Sequence, residues 1–148
     1  MTDPTGGKFA TQDDVTSRFE GDFPSNRLAW VVKRIIDVED ELMFQVPSLR
    51  KDAAAIDAES EAAGDPDRRQ RVVRLVADKV LDLYRHPDGA NQLTRTMPDI
   101  TVSRTFGADP TRGRVQFTSD ELDRVRLHTR RTKFGTITIQ PPPYSIRP

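Results

Sequence analysis

Between Ser25 or Asn26 and Pro47, apolar side chains return at Leu28, Val31, Val32, Ile35, Leu42 and Met43, while Lys33, Arg34, Asp37, Asp40 and Glu41 fall on the other side. Intervals of three and four mark one face of a helix, so this stretch predicts a long amphipathic helix that Pro47 stops. A second stripe runs through Val72, Val73, Val76, Val80, Leu83 and Tyr84. It follows Asp65-Pro66, which reads as an N-cap and a first-turn proline. It ends at Arg85-His86-Pro87-Asp88-Gly89, where proline and glycine forbid continuation. Each stripe needs a partner to bury it, and the two predict an antiparallel helical body.

The remaining segments are shorter. Residues 1–10 read as a flexible leader. Thr11 offers an N-cap with Asp14 three residues on, and Val15 and Phe19 would face inward, which predicts a helix from about Gln12 to Phe19. Gly21-Asp22-Phe23-Pro24 breaks it. Asp52 to Ala63 is rich in alanine and acid with Ile56 as its one large apolar residue; propensity favours helix, yet little can be buried, so a marginal helix and a mobile loop both fit residues 48–64. Ile100 to Phe106 alternates with period two, and Arg114-Val115-Gln116-Phe117 does so again beyond a turn-rich loop, which predicts a β-hairpin with a long connection near 98–117. Thr118 with Glu121 forms a capping-box pattern ahead of Leu122, Val125 and Leu127, so a short helix follows.

From Thr129 the chain changes again. Residues 129–148 carry Arg130, Arg131, Lys133 and Arg147, no acid and four prolines, together with Phe134, Ile137, Ile139, Tyr144 and Ile146. This segment cannot build a core, yet it is more apolar than a disordered tail. An arm that orders on a partner fits both properties, and Thr136-Ile137-Thr138-Ile139 could add a strand to a neighbour's sheet edge. The expected fold is therefore mainly α: a small antiparallel helical bundle over 11–128, with a β-hairpin or extended loop and an extended C-terminal arm. Arg130, Arg131, Lys133, Phe134, Ile137, Ile139, Tyr144 and Ile146 are the candidate interface residues.

Composition narrows the chemistry. Only 35% of the 148 residues are hydrophobic, so the core should be small. No apolar run approaches the roughly 18 residues of a membrane span, and the first residues lack the order of a signal peptide, so no membrane partner is expected. The absence of cysteine excludes disulfides and thiolate sites and fits an intracellular protein. The two histidines, His86 and His128, both fall at helix C-termini, where a cation suits the helix dipole. Asp37, Asp40 and Glu41 read as a solvated helix face. No catalytic motif occurs, so neither an enzyme nor a cofactor is expected. Pro141-Pro142-Pro143-Tyr144 matches the pattern that WW domains read, but four residues are a weak signal, and a stiff spacer presenting Tyr144 and Ile146 to an assembly partner is the better reading.

Net charge is zero, yet residues 1–66 hold 7 Lys+Arg against 14 Asp+Glu, and residues 67–148 hold 16 against 9. An acidic front and a basic rear suit head-to-tail contact between copies, and solvated faces are the plainer alternative. Arg68, Arg69, Arg104 and Arg112 are candidates to face DNA through charge alone. Arg71 and Arg74 lie beside the apolar stripe and are expected to meet acids of the first long helix. A small DNA-binding or regulatory protein using its basic C-terminal half is the alternative function, although specific recognition usually brings a basic excess.

Four patterns in a fixed order carry a resemblance. They are Ala10-Thr11-Gln12-Asp13-Asp14-Val15-Thr16-Ser17-Arg18-Phe19; Asp37-Val38-Glu39-Asp40-Glu41-Leu42 running into Val46-Pro47-Ser48-Leu49; Arg71-Val72-Val73-Arg74-Leu75-Val76-Ala77-Asp78-Lys79-Val80 leading to Tyr84-Arg85-His86-Pro87-Asp88-Gly89; and Val115-Gln116-Phe117-Thr118-Ser119-Asp120-Glu121-Leu122. Across about residues 9–128 the chain resembles the head-to-tail adaptor (head completion, or connector) proteins of tailed bacteriophages, especially phages of actinobacteria. The resemblance implies a structural virion protein made in the host cytoplasm and placed in the neck. There it would form a homo-oligomeric ring, usually of twelve copies, between the portal and a stopper or tail-completion protein, in non-specific contact with packaged DNA. It brings no catalytic residues. Shorter family members end soon after the last helix, so a role for residues 129–148 is not inherited.

Overall fold

The computed structural model describes residues 6–87 and 113–128 in full, and the backbone of 92–97 and 100–105. It is mainly helical. The helices are Gln12–Thr16 (α1), Leu28–Gln45 (α2), Ala53–Ala62 (α3), Arg68–Arg85 (α4) and Ser119–Val125 (α5). Single 3₁₀ turns at Ser25–Arg27 and Pro47–Arg50 bracket α2.

Helices α2 and α4 form the body. Val31, Ile35, Val38 and Leu42 of α2 and Val72, Val76, Ala77 and Val80 of α4 are all fully buried in one core. Contacts at their ends show that the pair is antiparallel. Trp30, near the start of α2, stacks edge-on against Tyr84 at the end of α4, with ring centroids 5.9 Å apart. Ser48, just beyond α2, accepts a hydrogen bond from Arg68 at the start of α4. Phe19 and Phe23 complete an aromatic group around Tyr84, at 5.7 and 5.0 Å.

Local chemistry explains the shorter elements. Both expected capping boxes are present, Thr11 with Asp14 and Thr118 with Glu121. The first helix is shorter than its pattern predicts and stops at Thr16. Arg18 and Phe19 then bond back only three residues, to Val15 and Thr16. This tighter turn swings Phe19 onto Phe23 rather than along a helical face.

Residues 53–62, left open between helix and loop, form helix α3. One turn of buried surface, Ile56 and Ser60, is enough because Ser60 Oγ satisfies itself on the Ile56 carbonyl at 2.7 Å. Ion pairs Lys51–Glu59 and Arg69–Asp57 support its flanks. Gly64, at φ +78°, ends it in the left-handed conformation that glycine tolerates. The start of α4 also moves. Asp67, not Asp65, sits at the N-cap position, and Asp65 instead donates its N–H to the Ser60 carbonyl at 2.8 Å.

The strand pattern needs a larger correction. Ile100–Thr105 (β2) pairs antiparallel with Gln92–Met97 (β1), Met97 facing Ile100 and Gln92 facing Thr105. It does not pair with Arg114–Phe117, which has no regular structure. Segments separated by two residues close with less entropy lost than the longer connection expected. The alternation at Val115 and Phe117 serves the core instead: Phe117 is buried and Val115 packs against it, so this stretch is the lead-in to α5. The hairpin tip, the loop 106–112 and the arm 129–148 lie outside the described residues.

Candidate functional site

On the inner face of α2 between Ile35 and Leu42, Val38 is buried in the core and Glu39 beside it also points inward. It is only 2% exposed. Its carboxylate accepts backbone N–H groups from Lys8, from Phe9 at 2.8 Å and from Ala10 at 2.8 Å. The segment Gly6–Thr11 thereby becomes a strap across α2, closed on itself by a Gly7 N–H to Ala10 carbonyl bond of 2.9 Å. Glycine is required here, since a Cβ on Gly7 would run into the Glu39 carboxylate and one on Gly6 would lie 2.6 Å from the Ala10 carbonyl oxygen. Lys8 Nζ extends the strap by donating to the carbonyls of Leu49, at 2.8 Å, and Lys51. Burial raises the Glu39 pKa above its ordinary 4.5, outweighing the three N–H bonds that favour the charged form, and nearby Asp40 adds to the rise. The last part of the leader, expected to be flexible, is thus fixed by a carboxylate.

The arginines of α4 divide by role. Arg68, expected to face DNA, is instead fully buried. Its Nε donates to the Val125 carbonyl at 2.7 Å and its Nη2 to Ser48 Oγ at 2.6 Å. Nη1 has no partner among the described residues, and burial draws the pKa down. Arg71 does not meet α2. It pairs with Asp65 and donates from Nε to the Arg124 carbonyl at 2.8 Å. The Arg71 hydrogen bond holds the Asp65 carboxyl below the usual carboxylate range and raises the arginine's own pKa. Arg69 is half-exposed and paired with Asp57 at 3.2 Å. The side chains of Arg104 and Arg112, and all eight arm candidates from Arg130 to Ile146, lie outside the described residues.

A concavity of about 440 Å³ lies where α5 meets α4, lined by Asp65, Arg71, Asp123, Arg124 and His128. Its charges alternate in sign, and His128 Nδ1 lies 3.0 Å from the Arg126 carbonyl oxygen. The other histidine, His86, lies at the end of α4 with Nδ1 3.2 Å from an Asp82 carboxylate oxygen. Beneath α5, the nearly buried Lys79 pairs with Glu121 at 3.2 Å and lies 5.6 Å from the Phe117 ring centroid. These groups tie elements together. Among the described residues no cluster of histidines and carboxylates could hold a metal, and no helix is long and apolar enough to cross a membrane.

The outer face of α2 is different. Phe44 is 71% and Ile36 38% exposed, the large apolar side chains left open among the described residues. Asp37 beside them is paired with Arg34 at 3.0 Å. Neither sequence pattern nor composition singled out Phe44; its signal is a phenylalanine on the polar side of an amphipathic helix.

Comparison with protein-family models, with curated proteins and with solved structures returned no match.

Proposed function

We propose that this chain is a structural virion protein, a head-to-tail adaptor that forms a ring, of twelve copies in the family's pattern, between the portal and the stopper or tail of a tailed phage. One observation carries the reading. The four ordered patterns behind the resemblance fall on α1, on α2 with its following turn, on α4, and on the lead-in and cap of α5. Each of these elements contributes side chains to one core, to which α3, outside the four patterns, adds Ile56. A resemblance scattered over exposed loops would carry less, because core and caps are where a fold constrains sequence.

In this reading the body is a rigid block and the surfaces that meet other proteins are its outer helix face, the β1–β2 ribbon and the arm. Arg130, Arg131, Lys133, Phe134, Ile137, Ile139, Tyr144 and Ile146 supply the arm's contacts. DNA contact in the channel falls to exposed cations such as Arg74 and Arg124, and no longer to Arg68. The alternative of a small DNA-binding protein loses ground for the same reason, since the arginines at the start of α4 are occupied by Val125, Ser48, Asp65 and Asp57.

The test is to mix the purified chain with portal rings and measure mass, with negative-stain imaging of the product. An added ring on the portal is the expected result. A monomer that ignores portal and shifts a short DNA duplex at moderate salt would sink the adaptor reading.

A further inference from the structure

Ile36, Asp40 and Phe44 follow one another at four-residue intervals on α2 and so form one ridge. Two of the three are apolar and open to solvent. The flanks are acidic: Asp37 is shared with Arg34, Glu41 accepts from Gln45 Nε2 at 2.5 Å, and Asp40 has no ion-pair partner among the described residues. An exposed phenylalanine beside one unpaired carboxylate, that of Asp40, asks for a ligand that is both apolar and cationic.

We propose that this ridge receives the C-terminal arm, residues 129–148, of a second copy of the chain. The arm has the complementary content: Arg130, Arg131 and Lys133 lead directly into Phe134, Ile137 and Ile139, with no acid among them. The dimensions agree. Eight helical residues set Ile36 and Phe44 about 12 Å apart along the axis. Lys133 and Ile137 stand on one side of an extended strand and span about 13 Å. An arm laid along the ridge brings its cation beside Asp37 and Asp40 while an isoleucine covers Phe44.

A second copy is the source because ridge and arm are different patches of one molecule, in the halves carrying −7 (7 basic, 14 acidic) and +7 (16 basic, 9 acidic). Contact between unlike patches is heterologous and passes from copy to copy, closing a ring where the rotation allows. The inference rests on reading the chain as an assembly subunit, but it is decided in solution, whereas that reading is decided by portal binding.

The experiment uses three full-length chains: the wild type, a ridge variant Phe44→Ser and an arm variant Ile137→Ser/Ile139→Ser. Sedimentation velocity over a wide concentration range gives their masses, and circular dichroism confirms that each is folded. The wild type should self-associate as concentration rises, and each variant alone should stay monomeric. The equimolar mixture should form a one-to-one dimer, because one variant still offers its arm and the other its ridge. A second pair guards against a folding defect: Asp40→Lys should weaken self-association at least about tenfold, and adding Lys133→Glu to the same chain should recover it. A wild type that stays monomeric, variants that associate like the wild type, or variants that fail to pair when mixed would each overturn the proposal. A monomer whose arm covers its own ridge would be seen as the first of these.

Discussion

Arg68 reaches 57 residues along the chain to hold the carbonyl of Val125 at 2.7 Å, so the start of α4 and the end of α5 are fixed to each other by one buried guanidinium. The same group bonds Ser48 at 2.6 Å, where the chain leaves α2. Three elements therefore meet on a side chain that lies in no ion pair among the described residues. Replacing it with methionine removes two charge-assisted hydrogen bonds and leaves the Val125 carbonyl unpaired. Arg68→Met should lower stability by about 2–4 kcal/mol, measured by urea denaturation, and should leave any salt-dependent DNA affinity unchanged. A loss of DNA binding without a loss of stability would contradict this assignment.

The strap gives a prediction with a pH sign. The Glu39 pKa is raised in the folded state, so that state binds the proton more tightly than the unfolded chain does. The stabilisation this provides is fully present below the ordinary 4.5 and is lost as pH rises through the raised folded value. Compared with Glu39→Gln, the wild type should therefore lose relative stability on going from acid toward neutral pH. Denaturation midpoints of both proteins across that range measure it; parallel curves would show that Glu39 does not titrate differently on folding.

Gly7 tests the same contact from the other side. A Cβ there meets the Glu39 carboxylate, so Gly7→Ala should cost about 1–3 kcal/mol and expose the Lys8, Phe9 and Ala10 amides to hydrogen exchange. Adding Glu39→Ser should recover part of the loss, because the clash disappears with the carboxylate. Equal penalties in both backgrounds would mean that the strap is strained by something else.

At α5 one carboxylate serves two partners: Glu121 accepts the Thr118 N–H at 2.8 Å and pairs with Lys79 at 3.2 Å. Thr118→Ala should cost about 1 kcal/mol as a lost N-cap. Combined with Lys79→Met the loss should be non-additive by at least about 0.5 kcal/mol, since the Thr118 hydroxyl accepts the Glu121 N–H while Lys79 holds the same residue's carboxylate. A thermal-melting double-mutant cycle gives the value, and strict additivity would show that the two bonds are independent.

Much of the body was legible because two long stripes need each other. Val31, Ile35 and Leu42 against Val72, Val76 and Val80 leave one sensible packing, and the capping boxes at Thr11 and Thr118 are local chemistry that survives in the fold. What escaped was chemistry between distant segments. Nothing near Glu39 in sequence announces that it will bind the strap, except that it stands at an inward position, four residues after Ile35 and three before Leu42. Arg68 read as a surface cation because its acceptors are a backbone carbonyl and a serine far along the chain. The alternating Val115 and Phe117 imitated a strand because a chain lying flat on a core buries every second side chain, as a sheet does. Of the candidate site, the arm's composition was plain from the start, whereas its proposed seat depended on seeing which apolar residues of α2 stay uncovered.

The aromatic group where α2 begins has a practical consequence. Trp30 is the sole tryptophan of the chain. It stands 5.9 Å from Tyr84 and 5.7 Å from the Arg34 guanidinium. Its emission is therefore a single-site optical gauge of whether the two long helices remain docked. Phe44 lies fourteen positions further along α2, about 21 Å by helical rise, whereas Asp37 at the other end of the ridge holds the Arg34 that lies over Trp30, so a shift in Trp30 fluorescence during assembly would report a cation arriving at Asp37 rather than contact at Phe44.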